Sequence, residues 1–162
     1  DSATGKNHGG QSAREKAGWI LTNAKGLNDH FRKQKSSIVD IMPTIARFME
    51  IDIPLDIARE VDGVPLIGNL SLVEPSAKVS NRQATISWKG DFKKGKAKVW
   101  MATTNNYKTG GRDEYQLLKE LPLKSQKTVI DLANFPSAFY KIVVEGEYNS
   151  VNRWIINEPK EK

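Results

Sequence analysis

His8 is the residue whose type and surroundings could do chemistry, because it precedes two glycines, Gly9 and Gly10. Imidazole is a common ligand of catalytic divalent metals, and two glycines leave room beside it for a metal or a substrate. A catalytic zinc site needs at least three protein ligands, and the chain has one other histidine, His30. As a metal ligand, His8 would place this chain at the end of a larger enzyme. As a lone histidine, it would be an ordinary loop or core residue.

Other residues of metal-binding type have simpler explanations. His30 could be a second ligand or a base, but its surroundings favour a histidine in a turn or at a helix end. Helix capping and turns account for Asp29, Asp40 and Asp62. The sequence has no nucleophile elbow, P-loop or Gly-rich dinucleotide turn, so we expect no independent hydrolase within it.

The composition is that of a folded globular protein. The 162 residues include 38% hydrophobic and 27% charged residues. The absence of cysteine excludes disulfides, thiolate metal sites and cysteine nucleophiles. No apolar run approaches the ~18 residues that a membrane-spanning helix requires, so we expect no transmembrane segment.

Charge divides the chain into two units. Residues 1–70 carry as many acidic as basic side chains, so the whole net charge of +6 falls in residues 71–162. We predict an incomplete α/β unit over residues 1–72, a linker over 73–77, an all-β antiparallel sandwich over 78–157 and a tail over 158–162. The overall class would then be α+β.

The first unit is predicted to hold little regular structure. The apolar run 18–24 is typical of a buried strand. Residues 40–50 predict a helix that Asp40 caps, with Ile41, Ile45, Phe48 and Met49 on one face. One strand and one helix cannot enclose a core, so this unit needs more chain to pack against.

The second unit has the alternation of short antiparallel strands. Apolar and polar residues alternate over 84–88, 97–101 and 140–145, and residues 151–156 form a further β-rich run. Turn-forming residues separate these runs, as in a sandwich.

Three pieces of the first unit stand in a recognisable order. They are His8-Gly9-Gly10 followed by Glu15, Ile-Val-Asp-Ile-Met-Pro-Thr-Ile-Ala at residues 38–46, and Asp-Gly-Val-Pro-Leu-Ile-Gly at residues 62–68. In this order they resemble the C-terminal end of the catalytic domain in the alkaline phosphatase superfamily. Within it, the likeness is to the bacterial type I phosphodiesterases and nucleotide pyrophosphatases.

The resemblance implies an exported enzyme of which this chain is one part. The Thr or Ser nucleophile and most metal ligands would lie upstream in the same polypeptide, with two zinc ions as the metal pair. His8 would be the last protein ligand, and Gly9 and Gly10 would lie close to the substrate. The chain alone would then be inert.

The second unit resembles fibronectin type III and related Ig-like modules in residues 84–88, 128–132 and 139–144. In those modules an early Trp packs against a late Tyr-x-Val-x-Val strand, and the stretch 132–140 is similar to the corner before that strand. The alternative function is therefore a non-enzymatic accessory module that binds a glycan or a protein, with Trp100 and Tyr107 as the candidate surface.

Nucleic acid is not an expected partner, although the chain is basic. The lysines of residues 93–98 alternate with apolar residues, as on the solvent face of an edge strand. Lysine in that position discourages edge-to-edge pairing and needs no nucleic acid to explain it.

Overall fold

The computed structural model describes residue 12, residues 16–90 and residues 94–157. Regular structure in these residues is mostly antiparallel sheet, preceded by short helices. The helices are α1 (Asp29–Arg32), α2 (Ile41–Phe48) and α3 (Leu55–Ala58). The strands are β1 (Val73–Ser80), β2 (Gln83–Lys89), β3 (Lys96–Ala102), β4 (Gln116–Pro122), β5 (Lys127–Asp131), β6 (Phe139–Glu145) and β7 (Ser150–Ile156).

The strands form two sheets whose inner faces share one apolar core. One sheet has the order β1-β2-β5 and the other the order β4-β3-β6-β7, and all pairs within them are antiparallel. Alternate residues of β2 and β3 are buried, as the sequence pattern predicts. The first sheet contributes Ile86 and Trp88 to the core, and the second contributes Val99, Ile142 and Val144. The predicted sandwich-like arrangement is confirmed.

A side-chain hydrogen bond holds the corner before β6. The hydroxyl of Tyr140 donates to the carbonyl of Phe135, five residues earlier, at 2.8 Å. Such a bond from a late tyrosine to the preceding backbone fixes the corner of Ig-like sandwiches. Trp88, buried in the same core, donates its indole N–H to the carbonyl of Leu123 at 3.2 Å.

The predicted linker 73–77 lies within β1 instead. The pairing of β1 with β2 has an irregularity between Val73 and Ser76, and Glu74 within it has φ 49°. A bulge accommodates both the left-handed residue and Pro75, which cannot donate to a ladder. The same residues that are typical of a linker are therefore the bulge of an edge strand.

The lysines of β3 do not lie on an edge strand, so that part of the prediction is wrong. β3 pairs with β4 on one side and β6 on the other. Lys96 forms an ion pair with Glu120 at 2.6 Å, and Lys98 lies 3.6 Å from Glu145. Neighbouring strands thus supply acidic partners to both lysines.

In the first unit the predicted helix is present and the predicted strand is absent. Helix α2 covers Ile41–Phe48, with Pro43 in its first turn. Residues 17–24 lie outside any helix or strand, and Trp19 and Leu21 are each 86% exposed. Among described residues before Val73, β-pairing is limited to one antiparallel bridge between Leu27 and Ile67. The described residues of the first unit therefore do not confirm the predicted α/β segment.

Polar contacts join the two units. The guanidinium of Arg47, on α2, donates to the carbonyls of Ile67 and Tyr148. The side-chain oxygen of Asn149 accepts from the amides of Ser71 and Leu72, at 2.8 and 3.1 Å. Helix α2 is therefore tied to the β6–β7 hairpin.

Candidate interaction surface

Asp40 connects the two described motif segments. Its carboxylate accepts one hydrogen bond from the amide of Ser37 and another from the amide of Val64, both at 2.7 Å. His30 Nε2 lies 3.4 Å from the same carboxylate. Asp40 is only 3% exposed, so these bonds satisfy a buried charged group. The expected cap of α2 is replaced by this longer-range role, because the side chain makes no capping bond to the helix.

Thr44 and Gly63 complete the same junction. The Thr44 hydroxyl accepts from the amide of Leu66 at 2.8 Å and donates to the carbonyl of Asp40 at 2.5 Å. Gly63 lies against the backbone of Val39, where a Cβ would overlap the carbonyl oxygen. The Asp, Thr and Gly of the two motifs are therefore structural residues that hold the segments together.

Helix α2 presents its apolar face to solvent. Pro43 and Ala46 are buried, while the side chains at helical spacing on the other face are 40–81% exposed. These exposed side chains are Ile38, Ile41, Ile45, Phe48 and Met49. A surface helix normally turns such a stripe toward a core. Here nothing in the described part of the chain covers it.

The exposed stripe continues into the segment that precedes α1. Trp19, Ile20, Phe31, Ile38 and Ile41 line one open cleft of about 1210 Å³. Monomeric proteins rarely expose large contiguous apolar patches unless another molecule or domain binds there. We call Ile38, Ile41, Ile45, Phe48 and Met49, which lie on helix α2 and at its two ends, the α2 stripe. The α2 stripe and the exposed side chains of residues 19–21 together form the apolar face.

A charged cluster lies between the first unit and the outer face of the four-stranded sheet. Lys141, 2% exposed, lies 2.8 Å from Glu60 and 2.5 Å from Asp113. The hydroxyl of Tyr115 donates to the other carboxylate oxygen of Glu60 at 2.7 Å. We call these four residues the Lys141 cluster. It holds the segment after α3 on the sheet.

The titration of this cluster follows from its pairing. Burial alone would lower the pKa of Lys141, but hydrogen bonds to Asp113 and Glu60 outweigh it and raise that pKa. Burial alone would raise the pKa of Asp113, yet the bonds to Lys141 and the Asn106 amide lower it. Burial and the bond to Glu60 raise the pKa of Tyr115. Lys141 and Asp113 therefore stay charged near neutral pH, and Tyr115 stays neutral.

Sequence patterns alone do not indicate this cluster. Lys141 stands at an outward position between the apolar residues Tyr140 and Ile142. A lysine that is flanked by core residues is a signal for a buried cation, but its partners Glu60 and Asp113 lie far away in sequence. Only the fold brings the three together.

The predicted site residues fall in different places. His8, Gly9 and Gly10 lie outside the described residues. The Arg59 guanidinium lies 4.0 Å from the centre of the Trp100 ring, so one face of that ring is covered. Tyr107 lies in a separate single-turn helix, Tyr107–Thr109, and is 47% exposed.

Residues 12, 16–90 and 94–157 contain no group of three or more His, Cys, Asp or Glu side chains that could hold a metal ion. The described residues therefore do not fit a zinc centre by themselves. The same residues include no helix with the length and apolarity required to cross a bilayer.

The sequence matches neither a known protein family nor an individual curated protein. Among solved structures, the spore cortex lytic enzyme SleM from Clostridium perfringens is similar over 57% of this chain, with 18% identity and a TM-score of 0.42. Pectate lyase Pel3 from Pectobacterium carotovorum is similar over 54%, with 15% identity and a TM-score of 0.36. The matches span 29% and 26% of those chains. Likenesses of this size carry no information on function.

Proposed function

We propose that this chain is the C-terminal part of a metal-dependent phosphodiesterase or nucleotide pyrophosphatase of the alkaline phosphatase superfamily. The observation that carries the proposal is the junction built by Asp40 and Thr44. The motif segments 38–46 and 62–68, which resemble that superfamily, are bonded to each other as one unit. The polar side chains of these segments bond to backbone groups, so other residues would carry out the reaction.

The residues present indicate which part of the polypeptide would supply each catalytic group. The described residues supply no metal-binding group, and the nucleophile and most ligands would come from the upstream part of the polypeptide. His8 would complete the ligand set, with Gly9 and Gly10 beside the substrate. Two zinc ions would supply the electrophilic stabilisation of the phosphoryl group when bound. The finer α/β assignment of residues 1–72, and an exported location, belong to this proposal.

The test compares two lengths of the same polypeptide. The coding sequence upstream of Asp1 should contain a Thr or Ser nucleophile together with Asp and His ligand motifs. The longer protein should hydrolyse bis-p-nitrophenyl phosphate with zinc, while the 162-residue chain should not. Within the longer protein, His8→Ala should abolish most of the activity, whereas His30→Ala should retain it if the variant is folded.

Two results would contradict the proposal. One is an upstream sequence without a nucleophile or ligand motifs. The other is a folded longer protein that binds zinc no better than its His8→Ala variant and hydrolyses no phosphodiester.

The accessory-module alternative gains no specific support. Its candidate residue Trp100 lies under Arg59, and Tyr107 lies in the single-turn helix after β3. It would be favoured only if titration of glycans against the chain gave a signal that Trp100→Ala removed.

A further inference from the structure

The apolar face includes a segment, residues 17–24, whose sequence is that of a β-strand. Residues 17–24 have the composition of a strand, and Trp19, Ile20 and Thr22 are among the residues that favour sheets. The backbone of these residues makes no hydrogen bond to another backbone group in the described chain. The amide of Ala24, at their end, donates to the hydroxyl of Thr22 at 3.0 Å. With respect to residues 12, 16–90 and 94–157, the segment therefore has both the side chains and the unpaired backbone groups of a strand without a neighbour.

The end of this segment is held in place. Beyond it, the amide of Asn28 donates to the carbonyl of Leu66 at 3.0 Å, and the amide of Gly68 donates to the carbonyl of Gly26 at 2.9 Å. Leu27 and Ile67 form the isolated bridge between these two bonds. Residues 17–24 thus project from a fixed point beside the α2 stripe.

The side chains indicate what should cover the segment. Trp19 and Leu21 alternate with Ile20, so a strand here would be apolar on both faces. Strands that are apolar on both faces occur where helices cover a sheet on both sides, as in α/β domains. A second copy of this chain would add the same strand and leave one face open.

We infer that residues 17–24 add as a strand to the edge of a sheet in the upstream part of the same polypeptide, with the α2 stripe packing on that sheet's neighbouring layer. This inference rests on the proposed function, which requires an upstream α/β domain. Pairing would satisfy the free amides and carbonyls, and burial would remove Trp19 and Leu21 from water. The added strand explains why residues 17–24 are exposed in this chain although their sequence is that of a buried strand.

Hydrogen exchange on two lengths of the polypeptide tests this. Amides 18–24 should exchange almost without protection in the 162-residue chain, and should slow by roughly 100-fold or more in the longer polypeptide. Amides of β2 and β6 should be equally protected in both. Equal, fast exchange of residues 18–24 in both lengths would overturn the inference.

Two variants distinguish strand pairing from non-specific hydrophobic association. In the longer polypeptide, Ile20→Pro removes an amide and should abolish the added protection at the neighbouring residues. Val129→Ser, at an exposed apolar residue of edge strand β5, should leave it unchanged. If Ile20→Pro has no more effect than Val129→Ser, the strand is not added.

Sedimentation of the 162-residue chain tests whether a second copy of the chain covers the apolar face instead. We expect a monomer whose residues 18–24 stay unprotected at every concentration. A dimer that protects those residues would assign the surface to a second copy and overturn the inference. Protection without phosphodiester hydrolysis in the longer polypeptide would refute the proposed function alone, whereas hydrolysis without protection would refute only the added strand.

Discussion

Asp40 holds the first unit together through one buried carboxylate. Its two oxygens accept from different backbone amides, at Ser37 and Val64. In Asp40→Asn one of these oxygens becomes an NH₂ group, which cannot accept. One buried amide is then left unsatisfied, at a cost of about 1–3 kcal/mol. Exchange of amides 37 and 64 should accelerate accordingly.

Asp62→Asn is the matched control, because Asp62 is exposed and belongs to the same motif. Its effect should lie within about 0.5 kcal/mol. Equal acceleration in the two variants would contradict the role assigned to Asp40.

The Lys141 cluster makes docking of residues 55–61 dependent on pH. The folded pKa of Asp113 is lowered, so its contribution to stability is present above its unfolded value near 3.8 and is lost as pH falls through the folded pKa. The folded pKa of Lys141 is raised, so its contribution is present below about 10.5 and is lost as pH rises through the folded pKa. Docking should therefore be strongest between these limits.

Asp113→Asn tests this dependence in urea denaturation from pH 2 to 7. Removing one partner of a buried ion pair costs about 3–5 kcal/mol when the pair is fully desolvated, so we expect a loss toward the lower end at pH 7. The variant should also lose less stability than the wild type on acidification. Asp52→Asn, at an exposed residue, should follow the wild-type pH profile. An acid response in Asp113→Asn identical to wild type would refute this account.

Among the elements, helix α2 is formed, but no residue in the described part of the chain covers its apolar face. Phe48 is 67% exposed, so Phe48→Ser in this chain should change the free energy of unfolding by no more than about 0.5 kcal/mol. Ile142 is 1% exposed, and Ile142→Ala should cost about 2–5 kcal/mol. Urea denaturation measures both. A cost for Phe48→Ser as large as that for Ile142→Ala would mean that the helix stripe is buried in the free chain.

Strands were predictable from sequence where burial alternates along them. Strands β2, β3 and β6 each carry three apolar residues at every second position, facing one core. Strand β1 was missed because its bulge contains Glu74 and Pro75, and because it joins β2 through Asn81 and Arg82, both at positive φ. A two-residue turn of this kind is usually marked by Asn-Gly, and arginine at the second position removes that signal.

The candidate surface was harder to predict, because patterns within one segment do not reveal partners in another. The periodicity of residues 41–49 correctly predicts a helix, yet it assigns the apolar stripe to a core that the described residues do not provide. Similarly, the composition of residues 18–24 predicts a strand, but a strand forms only where a neighbour can pair with it. The sequence can identify a face that needs burial without identifying what buries it.

In the whole molecule, the sandwich forms one core, and the first unit is attached to it by a few apolar residues and by polar contacts. Val64 and Leu72 of the first unit belong to the shared core. Polar links include the bond from Arg47 to the carbonyl of Tyr148, the bonds of Asn149, the bonds from Asn152 to the carbonyls of Arg59 and Val61, and the Lys141 cluster. Segments with few buried apolar contacts open at low free energy, so protection should fall steeply from the sandwich to the first unit.

Native-state hydrogen exchange of the 162-residue chain tests most directly whether the first unit lacks its natural packing surface. We expect amides of β2, β3 and β6 to exchange only on global unfolding, and amides of residues 17–57 to exchange through local opening at much lower free energy. Equally high protection of both regions would contradict the account, because the first unit would then be complete without any upstream domain.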